Sequence, residues 1–301
     1  MKQEEREVRI DGRTIRLTHL DKVLFPQSGL TKGDLVDYYR HIAETALPHY
    51  RDRPLTMHRW PDGLGSEGFF QKHIPDYFPD WIDRVEMTKE DGTVTHVVAN
   101  DAASLVYLAN QGCTTLHVAL ARRDSPHHPD RMIFDLDPTD NDFGKVRDAA
   151  RWLRDRLDAL GVVPFVQTTG SRGLHVVVPL DRSADFDAVK AVSHRISAEL
   201  AERHPDSLTV EQRKDRRGRR VFLDYLRNAY AQTAVAPYSL RAREGAPLAA
   251  PLDWDELGSA DLGPRSYTIG NIFRRLGQRR DPWAGIDASA RPLPDLPERS
   301  A

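Results

Sequence analysis

Strict alternation opens the chain. Val8 and Ile10, then Ile15 and Leu17, recur at two-residue spacing on either side of Asp11-Gly12, which predicts a β-hairpin. From Thr31 the period lengthens. Leu35, Tyr38, Tyr39, Ile42 and Ala46 mark one face of a helix that Thr31-Lys32-Gly33-Asp34 opens as a capping box and Pro48 is expected to stop. Residues 53–63 read as a strand running into a turn. Residues 94–99 and 114–120 read as further strands, with a helix capped by Asp101 between them. Val146, Ala150, Leu153, Leu157 and Leu160 outline another amphipathic helix, closed by Gly161. Residues 162–166 and 176–178 then predict strands, Phe186 through Leu200 a helix, 221–225 a strand, and 267–276 a last helix.

One strand carries chemistry. Arg131-Met132-Ile133-Phe134-Asp135-Leu136-Asp137-Pro138 is an apolar run ended by a proline. Side chains alternate along a strand, so Asp135 and Asp137 leave on one face, about 6–7 Å apart. Two anions that close repel each other unless a cation lies between them, and a hard divalent ion such as Mg²⁺ or Mn²⁺ suits oxygen donors. An isolated Asp-x-Asp is equally compatible with a solvated strand end, so the neighbouring segments decide.

Composition narrows the classes. With 301 residues the chain can bury a core as one large domain or two lobes. A net charge of −2 argues against indiscriminate polyanion binding and leaves room for a local basic groove. Met1-Lys2-Gln3-Glu4-Glu5 has no apolar stretch of the kind that marks a secretory signal, and no apolar run reaches membrane-spanning length. Cys113 is the single cysteine, which excludes an intrachain disulfide, fits a reducing cytoplasm and, among apolar neighbours, reads as a core filler. His127-His128 lacks the partners of a zinc site.

Other segments hold polar groups in suggestive patterns. Gln167-Thr168-Thr169-Gly170-Ser171-Arg172-Gly173-Leu174-His175 combines hydroxyls, glycines, a cation and an imidazole, a composition suited to an anion nest that grips a triphosphate. A basic run from Arg213 to Arg220 feeds an apolar strand ending in Asp224, a candidate third carboxylate. Lys22 and Lys32 flank a turn and a helix N-terminus, where charge and free amides together hold anions. Phe69 and Phe70 lie in a Gly-rich stretch beside Lys72, which suits base stacking with phosphate neutralisation.

Three readings follow. In nucleotidyl transfer, Asp135, Asp137 and Asp224 hold two divalent ions. In a phosphatase of the haloacid dehalogenase type, Asp135 is the nucleophile of Asp-x-Asp-x-Thr, although about 130 residues precede a motif that usually opens such chains. A non-catalytic DNA-end-binding clamp uses the basic segments and leaves the aspartates unexplained.

Taken together, residues 17–26, 53–63, 69–72, 131–138, 168–180, 221–228 and 232–243 resemble the polymerase module of bacterial DNA ligase D, in the archaeo-eukaryotic primase superfamily. The resemblance implies an α/β (α+β) fold, a primase-like catalytic core with RRM-like elements and an N-terminal α/β lobe. It implies one polymerase domain over 1–301, with an N-terminal lobe to about 120, a metal-binding lobe over about 121–290, and no ligase or nuclease module. It further implies primer extension and gap filling at double-strand breaks in non-homologous end joining, a preference for ribonucleotides, and two Mn²⁺ or Mg²⁺ ions. Implied partners are nucleoside triphosphates, 5′-phosphorylated gapped or broken DNA, Ku and a DNA ligase, in a cytoplasmic, nucleoid-associated setting without a membrane.

Carried over by position, Asp135, Asp137 and Asp224 resemble the catalytic metal carboxylates. His117, Thr169, Ser171, Arg172, His175, Arg227, Gln232, Arg241 and Phe70 fall on nucleotide-binding positions. His19, Lys22 and Lys32 fall on the 5′-phosphate site, Phe69 and Phe70 on template or base stacking, and Arg59 and Lys72 on further basic positions. His58 stands where relatives often carry lysine, Arg172 replaces a common lysine, and Thr169 a common serine.

Overall fold

The computed structural model describes residues 5–89 and 92–296; the charged residues 1–4, the pair 90–91 and residues 297–301 lie outside the described residues. Two compact units form. The first comprises Met1–Asp124, Thr233–Ala249 and Tyr267–Gln278; the second comprises Ser125–Gln232, Ala250–Ser266 and Arg279–Ala301. The sequence leads one to expect a simple division near residue 120. Two later segments instead return to the first unit, because the strand Thr233–Val235 completes an edge of its sheet.

The sheet of the first unit runs in the order Thr233–Val235, Cys113–Ala119, Pro54–Arg59, Gly92–Val98, Arg84–Lys89. Phe69–Gln71 pairs with the second half of Pro54–Arg59, and each of these pairings is antiparallel. The aromatic part of the Gly-rich stretch is thus a short strand. The predicted hairpin forms from Arg6–Ile10 and Arg13–Leu17, with Asp11 and Gly12 both at positive φ as a tight two-residue turn requires.

The helix Lys32–Tyr50 begins with the predicted capping box. Thr31 Oγ1 accepts from the Asp34 amide while Asp34 accepts from the Thr31 amide. The helix passes through Pro48 rather than stopping before it. The proline lies in the last turn, where it forfeits one backbone bond while the buried His49 and Tyr50 anchor the end. The helix packs on a second one, Ala102–Asn110, whose N-cap is Asp101 as expected.

In the second unit the sheet order is Leu208–Thr209, Val221–Asp224, Arg131–Pro138, Leu174–Pro179, Phe165–Thr168, Pro251–Leu252. The Asp-x-Asp strand therefore sits inside the sheet, antiparallel to a neighbour on each side. Two amphipathic helices, Phe143–Ala159 and Phe186–Arg203, touch this strand and each other. Met132, Phe134 and Leu136 are fully buried, which leaves Asp135 and Asp137 on the opposite, partly open face.

Candidate nucleotidyl-transfer site

Asp135 and Asp224 are directly paired across the two antiparallel strands, and Asp137 lies two residues further along. Cross-strand partners share a face, so all three carboxylates emerge together. Their environment is strained electrostatically. Burial, followed by the anion of Asp135, pushes the carboxyl of Asp224 above the usual range. Burial likewise raises Asp137; Asp135 adds to the rise, while Arg172 and Arg217 oppose it. Guanidinium groups answer this charge. Arg227 Nε stands 3.6 Å from Asp135 Oδ2 and 3.8 Å from Asp224 Oδ2, and Arg172 Nη2 donates to both oxygens of Asp137 at 2.9 and 3.2 Å. Among the described residues, no three His, Cys, Asp or Glu side chains already close into a metal cage. An all-carboxylate donor set gathered on one face nevertheless matches a hard divalent ion.

The turn after Phe165–Thr168 meets this cluster. Thr169 Oγ1 accepts from the amides of Ser171 (3.3 Å) and Gly173 (3.2 Å) and donates to the Gly173 carbonyl (3.1 Å). Two amides that an open nest would offer to an anion are thus turned toward a hydroxyl. Gly173 is required by contact rather than by φ, since a Cβ there would lie 1.9 Å from the Leu136 carbonyl oxygen, between the two aspartates. Arg172 remains exposed. His175, the cross-strand partner of Asp135, is buried; its Nε2 lies 3.6 Å from Asp135 Oδ1. The Gln167 amide nitrogen meets His175 Nδ1 at 3.3 Å.

Two positioning residues escaped the sequence reading. Arg217, one of the basic run that feeds the Asp224 strand, is buried. It stacks on Phe222 at 3.7 Å, donates to the carbonyls of Glu211 and Gln212, and directs Nη1 to within 3.8 Å of Asp137. Asn228 is fully buried. Its side chain exchanges hydrogen bonds with the backbone of Ile133 (2.8 and 2.7 Å), continuing the ladder where the strand Val221–Asp224 has ended. A bracket on the Asp-x-Asp strand fixes the neighbouring Arg227. Neither role has a local signal. Gln232, also in this unit, is exposed in a turn.

The other predicted residues belong to the first unit. His117 lies on Cys113–Ala119, with Arg241 Nη1 3.5 Å from its Nε2. Phe69 and Phe70 are exposed on their strand. Arg59 is buried beneath Phe69, its guanidinium carbon 5.6 Å from the ring, and donates to Gln71 and Tyr77; Lys72 is exposed. At the start of the long helix, the Lys32 amide donates to the Lys22 carbonyl, and the Lys22 amide to that of His19, an exposed residue at positive φ. The buried Lys32 ammonium donates to the Thr18 carbonyl at 2.6 Å, and burial followed by the charge of Lys22 lowers its pKa to about 8. Lys22 pairs with Asp62 at 2.5 Å.

A family model for the LigD primase-polymerase domain matches residues 31–283. The chain belongs to this family. The multifunctional non-homologous end joining protein LigD of Mycolicibacterium smegmatis is 35% identical over 284 residues, which make up 93% of this chain and 37% of that protein. The bifunctional LigD of Bacillus subtilis is 32% identical over 271 residues, 89% of this chain and 43% of that one. The chain thus spans well under half the length of these relatives. Among solved structures, the polymerase domain of Mycobacterium tuberculosis ligase D in complex with DNA superposes with a TM-score of 0.87 at 34% identity, covering 92% of this chain and 99% of that one. The resemblance and the mixed α/β fold drawn from the motifs are both borne out, and membership in this family makes the chain a nucleotidyltransferase. No described helix is long and apolar enough to cross a membrane.

Proposed function

We propose that the chain adds nucleotides to primer ends at gapped or broken DNA in non-homologous end joining, with a preference for ribonucleotides, alongside Ku and a ligase. The observation that carries this reading is the paired register of Asp135 and Asp224 with Asp137 beside them, three carboxylates gathered on one face of the sheet where divalent cations would balance their charge. These three residues would hold two Mn²⁺ or Mg²⁺ ions. Bound there, the ions would activate a primer 3′-hydroxyl and neutralise the leaving pyrophosphate.

The chain's own residues do the rest. His175 orients Asp135, and Arg217 holds Asp137 from a fixed position. Arg172 and Arg227, which lie against these carboxylates and are only partly covered, would supply positive charge to the triphosphate. Thr169 and Ser171 shape the nucleotide turn of the second unit; Gln232, His117 and Arg241 stand at the nucleotide-binding positions that the family resemblance implies. Lys22, Lys32 and His19 take the 5′-phosphate across the gap. The phosphatase alternative loses its footing with the family assignment, and the Thr139 hydroxyl it would use donates to the Arg220 carbonyl.

Primer extension on a 5′-phosphorylated gap, with ribo- and deoxyribonucleotides, tests the reading together with Mn²⁺ calorimetry. Asp135→Ala and Asp137→Ala should abolish both addition and ion binding while the circular dichroism spectrum is kept. Extension by a folded double variant would reject it.

A further inference from the structure

His58 and Phe70 are cross-strand partners in the ladder between Pro54–Arg59 and Phe69–Gln71. Their side chains therefore share one face, and their rings lie 4.1 Å apart at 14°, a parallel stack. Phe70 is 63% exposed, which is unusual for a phenylalanine held in a defined orientation by a partner ring. Two more rings, tilted rather than stacked, gather on the same sheet. His117 projects from the strand on the other side of His58, with its ring 5.7 Å from that of Phe70. Trp60 closes the outer end, 5.3 Å from His58. The chain leading into Phe69 is pressed onto that indole, since a Cβ at Gly68 would lie 2.3 Å from a Trp60 ring carbon. Every element beneath Phe70 is thus braced, and its outer face is open.

We propose that His58 is a positioning residue that holds Phe70 as a flat platform for the base of the incoming nucleotide, with His117 at its edge. This rests on the nucleotide-site reading of Phe70 and His117 above and adds a residue to it. Burial, followed by the charge of Arg241, lowers the His58 pKa, so near pH 7 an uncharged ring faces Phe70. Neutral stacking preserves the π-face that a base needs on the other side. A purine covers more of such a platform than a pyrimidine, so loss of the platform should weigh on purines first.

The test compares His58→Ala, His58→Phe and Phe70→Ala in templated single-nucleotide addition, with KM and kcat resolved for ATP and CTP. A second readout without turnover is quenching of a 2-aminopurine ribonucleoside triphosphate on binding. His58→Ala should raise KM for ATP about 3- to 10-fold, more than for CTP, with kcat little changed and quenching reduced. His58→Phe, which restores a stacking ring, should recover both. If Phe70→Ala raises KM while His58→Ala leaves KM and quenching untouched, His58 does not position the platform. If Phe70→Ala itself changes neither, the base-stacking reading of Phe70 falls. A proportional loss for both nucleotides that His58→Phe fails to rescue would mean a general structural role and overturn the proposal.

Discussion

Gly173→Ala puts the smallest possible perturbation at the most constrained point of the site. The added Cβ would stand 1.9 Å from the Leu136 carbonyl oxygen, where even the tightest real contacts stay beyond 3.0 Å. The two backbones must therefore part by about 1.1 Å. Neither can yield cheaply. Leu136 is an interior strand residue between Asp135 and Asp137, and the turn is tied to Thr169 by its hydroxyl and by backbone. A displacement on the order of 1 Å at reacting groups costs about 100-fold in rate. Forcing a methyl into packed backbone costs about 1–3 kcal/mol, a Tm loss of roughly 2–12 °C in a chain of this size. Single-turnover primer extension and thermal unfolding measure the two effects. Gly258→Ala serves as control, because nothing lies within 4 Å of its Cβ. A Gly173→Ala protein with the parental rate and Tm would refute the close approach of turn and carboxylate strand. A lower Tm with an unchanged rate would show that the carboxylates do not depend on it.

Two further predictions concern titrating groups. Asp224 is held above the usual carboxylate range, so its charged form works against folding in the absence of metal, and Asp224→Asn should raise the Tm of metal-free protein by a few degrees while abolishing addition; a lowered Tm in calorimetry would contradict the crowding argument. For Lys32 the folded pKa is about 8 against an ordinary 10.5, so the unfolded chain holds more protons between these values and this group's contribution to stability rises with pH across that window. Phosphate binding runs the opposite way: selectivity for a 5′-phosphorylated gap should fall as pH passes 8, and persistence of full selectivity to pH 9.5 in a filter-binding titration would exclude the ammonium of Lys32 as its source.

Much of the site was legible because it rests on period-two geometry. That Asp135 and Asp137 share a face follows from alternation alone, and the capping box of Thr31 and Asp34 from four residues. The strand Arg84–Lys89 left only a faint trace, since Val85 and Met87 alternate but Met87 alone is buried and two apolar residues make too short a pattern. The short strand Thr233–Val235 was hidden in the same way, its place fixed by the distant Cys113–Ala119. Arg217 and Asn228 illustrate the deeper limit. Whether a polar side chain is solvent-facing or a buried bracket depends on a partner 80 to 95 residues away, here Asp137 or Ile133, and local sequence carries no record of that distance.

The path of the chain has a consequence for inheritance. It changes unit after residues 124, 232, 249, 266 and 278. No uninterrupted stretch of coding sequence specifies either unit. A fragment ending at Asp124 would leave the strand that bears His117 without its neighbour Thr233–Val235, an unpaired edge open to aggregation, and would lack Arg241 beside the imidazole. A single crossover between distant homologues after Asp124 would instead set Cys113–Ala119 of one parent against Thr233–Val235 of the other. The two halves can diverge only in step, as a single unit of genetic exchange.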